Sequence, residues 1–239
     1  MTYRTILQHP NPVLRKKSTS VDFSAESENL EKIVSDLIDT IEIHNGAGLA
    51  APQIGYRKRV LTLNPESFSV ENPDPFPGRE KYMVLVNPTL ELSEEKISWP
   101  ESCLSVPFGR ATISRSKDCK VSYQTLQGEE KTIELTWPLS AVLQHEYDHL
   151  EGKLYIDYLS HFSREMITKK ILKYNKKKQR LAEQKKEEEI FDLYGPEALR
   201  RYRDQKSGKT ASLSEKKKQR KKKQKTFGKN KRKNRRKKK

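Results

Sequence analysis

Residues 139–154 read LSAVLQHEYDHLEGKL, and the histidines at 145 and 149 limit the fold more than any other pair in the chain. In a helix, residues four apart stand one above the other on the same face. Both imidazoles then reach a single metal ion with Glu146 beside it. The flanks suit a helix: Pro138 fits a first turn, Ser140 is a capping residue, Leu139, Val142, Leu143 and Leu150 form an apolar stripe, and Gly152 ends it. A surface helix with two chance histidines would carry the same letters, so the site has to be argued from its surroundings.

The core round such a helix does not need the whole chain. Hydrophobic residues make up 33% of the 239 and charged residues 34%, against roughly 45–50% and about 25% in ordinary domains. Residues 1–168 hold 18 Lys and Arg against 24 Asp and Glu, net −6, whereas residues 169–239 hold 31 against 8, net +23. A mildly acidic body is thus followed by an arm suited to a polyanion. Two cysteines, Cys103 and Cys119, give no disulfide framework; a reducing compartment, the cytoplasm, is expected, and a thiol is available as a ligand. Neither a secretory leader nor a membrane span is expected, because no stretch is apolar for long enough.

Along the chain, residues 1–20 read as a loop or edge strand. After Ser27, Leu30, Ile33, Val34, Leu37, Ile38 and Ile41 recur at helical spacing until Asn45-Gly46. GAGLAAPQIG, residues 46–55, lets backbone approach something closely, and Gln53 is its one side chain that both donates and accepts hydrogen bonds. Strands are expected at 59–64, 81–88, 90–99, 119–127 and 131–137, the last two as a hairpin turning at Gly128. ESCLSVP, 101–107, puts Cys103 just past a strand, from where its sulfur can meet the histidines. Cys119 reads as a packing residue. A second helix from about Ser163 docks by Met166, Ile167 and Ile171 and then becomes a charged rod, and FDLYGPEALRRY, 191–202, reads as a short separate turn or helix around Pro196. From Ser207 on, 18 of 33 residues are Lys or Arg, a composition expected to be disordered. The fold class is therefore α+β, with mixed, mainly antiparallel sheets round the HEYDH helix. Its expected parts are a catalytic body at 1–172, a charged helical extension at 173–206 and a basic tail at 207–239.

GAGLAAPQ, ESCLSVP and QHEYDHLEG, in this order and over roughly residues 3–172, resemble the three signature motifs of peptide deformylases. The resemblance implies removal of the formyl group from formyl-methionine of nascent peptides. It makes Cys103, His145 and His149 the ligands of one divalent metal, typically Fe(II), although Zn(II), Co(II) or Ni(II) also suits these donors. Glu146 becomes the proton carrier, and the Gln53 amide and the Leu104 N–H become the oxyanion donors. Ala47, Gly48, Trp99 and Val142 become walls of a methionine slot, and Glu101 and Arg110 are polar residues of the same substrate end, paired to brace the cysteine loop or, alternatively, forming a plain surface salt bridge. Ser102 departs from the glycine usual before the ligand cysteine. Relatives can dock on the ribosome through a C-terminal helix, so ribosomal RNA is the expected partner of the basic arm; a merely solubilising tail is the alternative. Two rivals share parts of the pattern. A zinc endopeptidase would take a third ligand downstream, at Asp157 or His161, and a non-enzymatic RNA-binding protein would have no use for Gln53 and Glu146.

Overall fold

Asp22 starts the first long element, its carboxylate accepting the Ser24 N–H at 3.0 Å, and helix α1 follows as Phe23–His44 in the computed structural model, which describes residues 3–207. The cap lies upstream of the expected start at Ser27. Asn45, in the left-handed region at φ 50°, closes the helix, a conformation that asparagine tolerates better than most residues. All six residues of the apolar stripe are buried.

The strands are β1 (Gly48–Ala50), β2 (Val60–Leu63), β3 (Met83–Leu92), β4 (Lys96–Cys103), β5 (Val106–Ser116), β6 (Asp118–Gln124) and β7 (Glu130–Thr136). Five form a sheet in the order β1-β2-β3-β6-β7, and β4 pairs with β5 separately, every pairing being antiparallel. The expected strand at 90–99 is divided between β3 and β4, and β5 was not expected. Strand alternation explains why the centre of the sheet is apolar on both faces. Val60, Val84 and Val86 face α1 in one buried cluster, while Leu61, Leu63, Met83 and Leu85 face the opposite way in another.

That second face receives helix α2, Leu139–Leu150, through Leu139, Val142, Leu143 and Leu150. α1 and α2 thus sandwich the sheet. Ser140 is inside α2 rather than at its cap, and its hydroxyl donates to the Lys117 carbonyl at 2.5 Å. Cys119 is buried in the same cluster. A third cluster joins Cys103, Val106 and Ile113 to Tyr155 and Ile156, a short 3₁₀ turn after α2, and to Ile167 and Ile171 on helix α3, His161–Lys206.

The chain divides into two compact units, Met1–Lys173 and Tyr174–Lys239. Within the second, Gly195 at φ 76°, followed by Pro196, breaks α3. The helix after it returns along the helix before it, with the Tyr202 hydroxyl on Glu183 at 2.9 Å and Arg203 on Glu187 at 2.5 Å. Apart from Ser207, the expected disordered tail lies outside the described residues. Among those residues no helix is long and apolar enough to cross a membrane.

Candidate metal centre

Eleven of the twelve residues of α2 are buried, so whatever His145 and His149 do is done away from bulk water. Cys103 ends β4 and is register-paired with Val106 across a tight return, which turns its sulfur towards α2. The Cys103 Sγ lies 3.3 Å from His149 Nε2, and the ligand atoms of Cys103, His145 and His149 all lie within 4.8 Å of one another. Glu101 holds His145 Nδ1 at 2.8 Å, leaving Nε2 as the other ring nitrogen.

The donor set fits a single transition-metal ion: one sulfur and two imidazoles, with one tetrahedral position left over. Glu146 supports the fit. Its Oε2 is buried without a hydrogen-bond partner among the described residues, an arrangement that costs ~1–3 kcal/mol unless water or a ligand meets it. Burial pushes the Glu146 carboxyl up to about 7. It also pulls His149 well below the ordinary imidazole range, with the neighbouring His145 and Arg115 charges acting in the same direction. His145 goes the other way: burial opposes its charge, but the Cys103 sulfur, Glu101 and Glu146 hold it well above the usual value. Metal ligation requires both rings neutral, so a cation here competes with the His145 proton.

Behind the ligands lies a buried ion network. Arg115 donates to Glu101 Oε1 at 2.6 Å and Oε2 at 3.0 Å, and to Asp148 Oδ2 at 2.6 Å. The Tyr158 hydroxyl also reaches Asp148 at 3.0 Å, and its ring lies under the guanidinium at 4.9 Å. Burial alone would raise the Glu101 carboxyl, yet His145 and Arg115 hold it below its ordinary value. Arg115 rather than Arg110 is therefore the partner of Glu101. The reason is strand parity: Ala111, Ile113 and Arg115 turn inward on β5, whereas Arg110 is on the exposed face. Glu101 borders the cleft with both oxygens hydrogen-bonded, Oε1 and Oε2 to Arg115 and Oε2 also to His145 Nδ1.

A cleft of about 340 Å³ opens over the ligands. Gly46, Ala47 and Gly48 form one wall, Val142 and Glu146 another, and Trp99 a third, with Ser102 and Leu104 beside Cys103. Gln53 Oε1 accepts the Ala50 N–H at 2.7 Å, which turns Nε2 towards Cys103 Sγ, 3.5 Å away, and Ser105 Oγ, 3.3 Å away. Gly48 has no room for a side chain: a Cβ there would lie 2.7 Å from Glu146 Cγ.

The structure thus gathers Cys103, His145, His149, Glu146, Gln53, Leu104, Ala47, Gly48, Trp99 and Val142 round one space and leaves Arg110 out. The endopeptidase ligands are elsewhere, since Asp157 is engaged by Arg15 and the Leu154 N–H, and His161 is exposed at the start of α3. Sequence reasoning missed Arg115, Phe68 and Ser105. Only strand parity could have found Arg115, and no pattern marked Phe68.

The polypeptide deformylase family model matches residues 3–165. A peptide deformylase of Buchnera aphidicola subsp. Acyrthosiphon pisum is 38% identical over 182 residues, covering 76% of this chain and 98% of the relative. The crystal structure of peptide deformylase from Ehrlichia chaffeensis superimposes with a TM-score of 0.66 at 32% identity, covering 74% of this chain and 99% of that one. A second structure of that enzyme, in complex with actinonin, gives 0.64 at 33% identity over 73% and 98%. With the family model spanning most of the body and the relatives aligned almost end to end, the chain belongs to the polypeptide deformylase family.

Proposed function

We propose that this chain removes the formyl group from formyl-methionine at the start of nascent peptides, releasing formate, with its own residues in the following roles. Cys103, His145 and His149 hold one divalent metal, for which Fe(II) is favoured and Zn(II), Co(II) or Ni(II) is also suited. When bound, the metal supplies Lewis acidity that brings the pKa of water towards about 7. Glu146 accepts the proton of the attacking water and delivers it to the amine as the formyl C–N bond breaks. A carboxyl sitting at about 7 can take and return a proton near neutral pH. Gln53 Nε2 and the Leu104 N–H donate to the oxygen that gains charge as the formyl carbon becomes tetrahedral. Ala47, Gly48, Val142 and Trp99 receive the methionine side chain.

One observation carries this reading: the ligand atoms of Cys103, His145 and His149 lie together, and Cys103, His145, Glu146 and Gln53 line a single cleft. The test uses anaerobically Fe(II)-loaded protein on formyl-Met-Ala-Ser and on an internal peptide. Formate release from the first without cleavage of the second is expected, with Glu146→Gln losing on the order of 100-fold or more in kcat while keeping its metal. Internal cleavage, or full activity of Glu146→Gln, would defeat the reading.

The proposal extends to the C-terminal arm and to location in the cytoplasm, where nascent chains are made. Of residues 169–239, 31 are Lys or Arg, and ribosomal RNA is the polyanion we assign to them, through sequence-independent, salt-sensitive phosphate contacts. Cosedimentation with ribosomes should fall steeply with salt. It should vanish when residues 174–239 are deleted, and equal cosedimentation with and without them would rule out the tether.

A further inference from the structure

Three aromatic rings run outward from the cleft, and the roles assigned so far leave two of them without work. Phe68, just past β2, meets Trp99 of β4 edge to face at 6.0 Å and 66°, and Trp99 meets Trp137, just before α2, at 5.3 Å and 81°. Phe68 and Trp99 line the cleft, and Trp137, which is 41% exposed, stands on the far side of Trp99. Neither indole belongs to any of the three buried clusters. Among the described residues neither indole N–H has a protein acceptor.

Tryptophan is a costly residue to leave at a surface. It carries a large apolar area, and its N–H seeks a partner when covered. Two of them, braced edge to face by a third ring and outside the core, form a rigid apolar shelf that loses little conformational freedom when something packs on it. That is the character of a binding hot spot rather than of a core. The shelf also has a direction. A peptide whose formyl group lies at Cys103, His145 and Glu146 and whose methionine fills the slot has its next residue at the open end of the cleft.

We propose that the Phe68–Trp99–Trp137 shelf reads the side chain that follows the formylated methionine, favouring an aromatic or large apolar residue. An indole N–H is free to donate to a main-chain carbonyl of the same segment. This rests on the deformylase reading of the cleft. It adds a selectivity that the metal centre does not supply, since those ligands act on the formyl group alone.

The test compares formyl-Met-Phe-Ser, formyl-Met-Ala-Ser and formyl-Met-Lys-Ser on the full-length metal-loaded enzyme. The expected kcat/KM for the Phe peptide is roughly tenfold that for the Ala peptide, the scale on which an apolar site discriminates, and it arises mainly in KM. Trp137→Ala should bring that ratio to within about twofold, whereas Trp137→Phe should preserve most of it. The chain has only two tryptophans, which gives a readout independent of turnover. Titration with the product peptide Met-Phe-Ser should change the intrinsic emission saturably, and Met-Ala-Ser should need a higher concentration to do the same. Should Trp137→Ala not fold, Phe68→Leu and the emission titration carry the test. Formate release with equal rates on the Phe and Ala peptides, or a preference for the Lys peptide, would overturn the shelf and leave the deformylase reading standing. No formate from any peptide would overturn both.

Discussion

The body and the helical extension use the same charged residues in opposite ways. In the body, Arg115 is 5% exposed and lies between Glu101 and Asp148, two carboxylates that are also shielded. In the extension, Arg203 on Glu187 and Lys206 on Glu183 are comparably short ion pairs, yet the two cations are 59% and 56% exposed. Distance does not separate the pairs; water does. A buried charge is tolerable only while its partners remain, whereas an exposed one exchanges its partner for solvent at little cost. The body thus fixes Arg115 beside the metal-ligand cluster, whereas the extension leaves Arg203 and Lys206 in contact with water.

Breaking the buried network should have the largest effect. Arg115→Met leaves Glu101 and Asp148 without their cation, and we expect a loss of ~3–5 kcal/mol in denaturant unfolding. Metal affinity should fall about 10- to 100-fold, because Glu101 can no longer hold His145 Nδ1 in place. A variant within about 1 kcal/mol of wild type would show that the network contributes no more than a surface pair. Next come two changes inside the cleft. Gln53→Leu removes a donor and should lower kcat on the order of 100-fold with metal content unchanged. Gly48→Ala places a methyl 2.7 Å from Glu146 Cγ. Displacing that carboxylate should cost on the order of 10- to 100-fold in kcat, read against a KM that moves less.

The sequence exposes these regions unequally, and the reasons are physical. The stripes of α1 and α2 were legible because a helix buried on one side must repeat its apolar residues every third or fourth position. The histidine pair was legible for the same reason, since four residues bring side chains onto one face. β1 has no strand signal of its own, because Gly48 and Ala50 have little strand propensity; pairing with β2 makes these residues a strand. β5 was missed because it contains Pro107 and Gly109 and alternates only weakly. Without its parity, Arg110 and Arg115 could not be told apart. Cys103, 42 residues before His145, had only its motif to link it to the histidines.

A smaller effect sharpens the comparison from within the body. Asp36 is buried and accepts from Arg4 Nε at 2.8 Å and from the Tyr56 hydroxyl at 2.8 Å. Burial works to raise its carboxyl, but these hydrogen bonds and the Arg4 charge prevail, and its pKa is lowered. A carboxyl with a lowered folded-state pKa stabilises the fold above its ordinary titration range, and that stabilisation is lost as pH falls through the folded value. Wild-type Tm should therefore drop below pH 4 more steeply than that of Asp36→Asn, which should be lower at pH 7 and flatter in acid. Parallel curves would show that Asp36 is no better held than an exposed acid.

The smallest effect belongs to the extension. Glu187→Gln removes the carboxylate under Arg203, and because the cation is already in water, Tm of the full chain should move by no more than about 1 °C. Formate release should be unchanged, as the residue lies outside the unit that holds the metal centre. What should change is salt response. A freed guanidinium adds one cation to an already basic unit, so apparent affinity for a polyanion such as ribosomal RNA should rise slightly, with a slope in log salt steeper by less than about one. A Tm loss comparable to that of Arg115→Met would mean that the hairpin pair is structural, and the contrast between fixed and accessible charge would then fail at its exposed end.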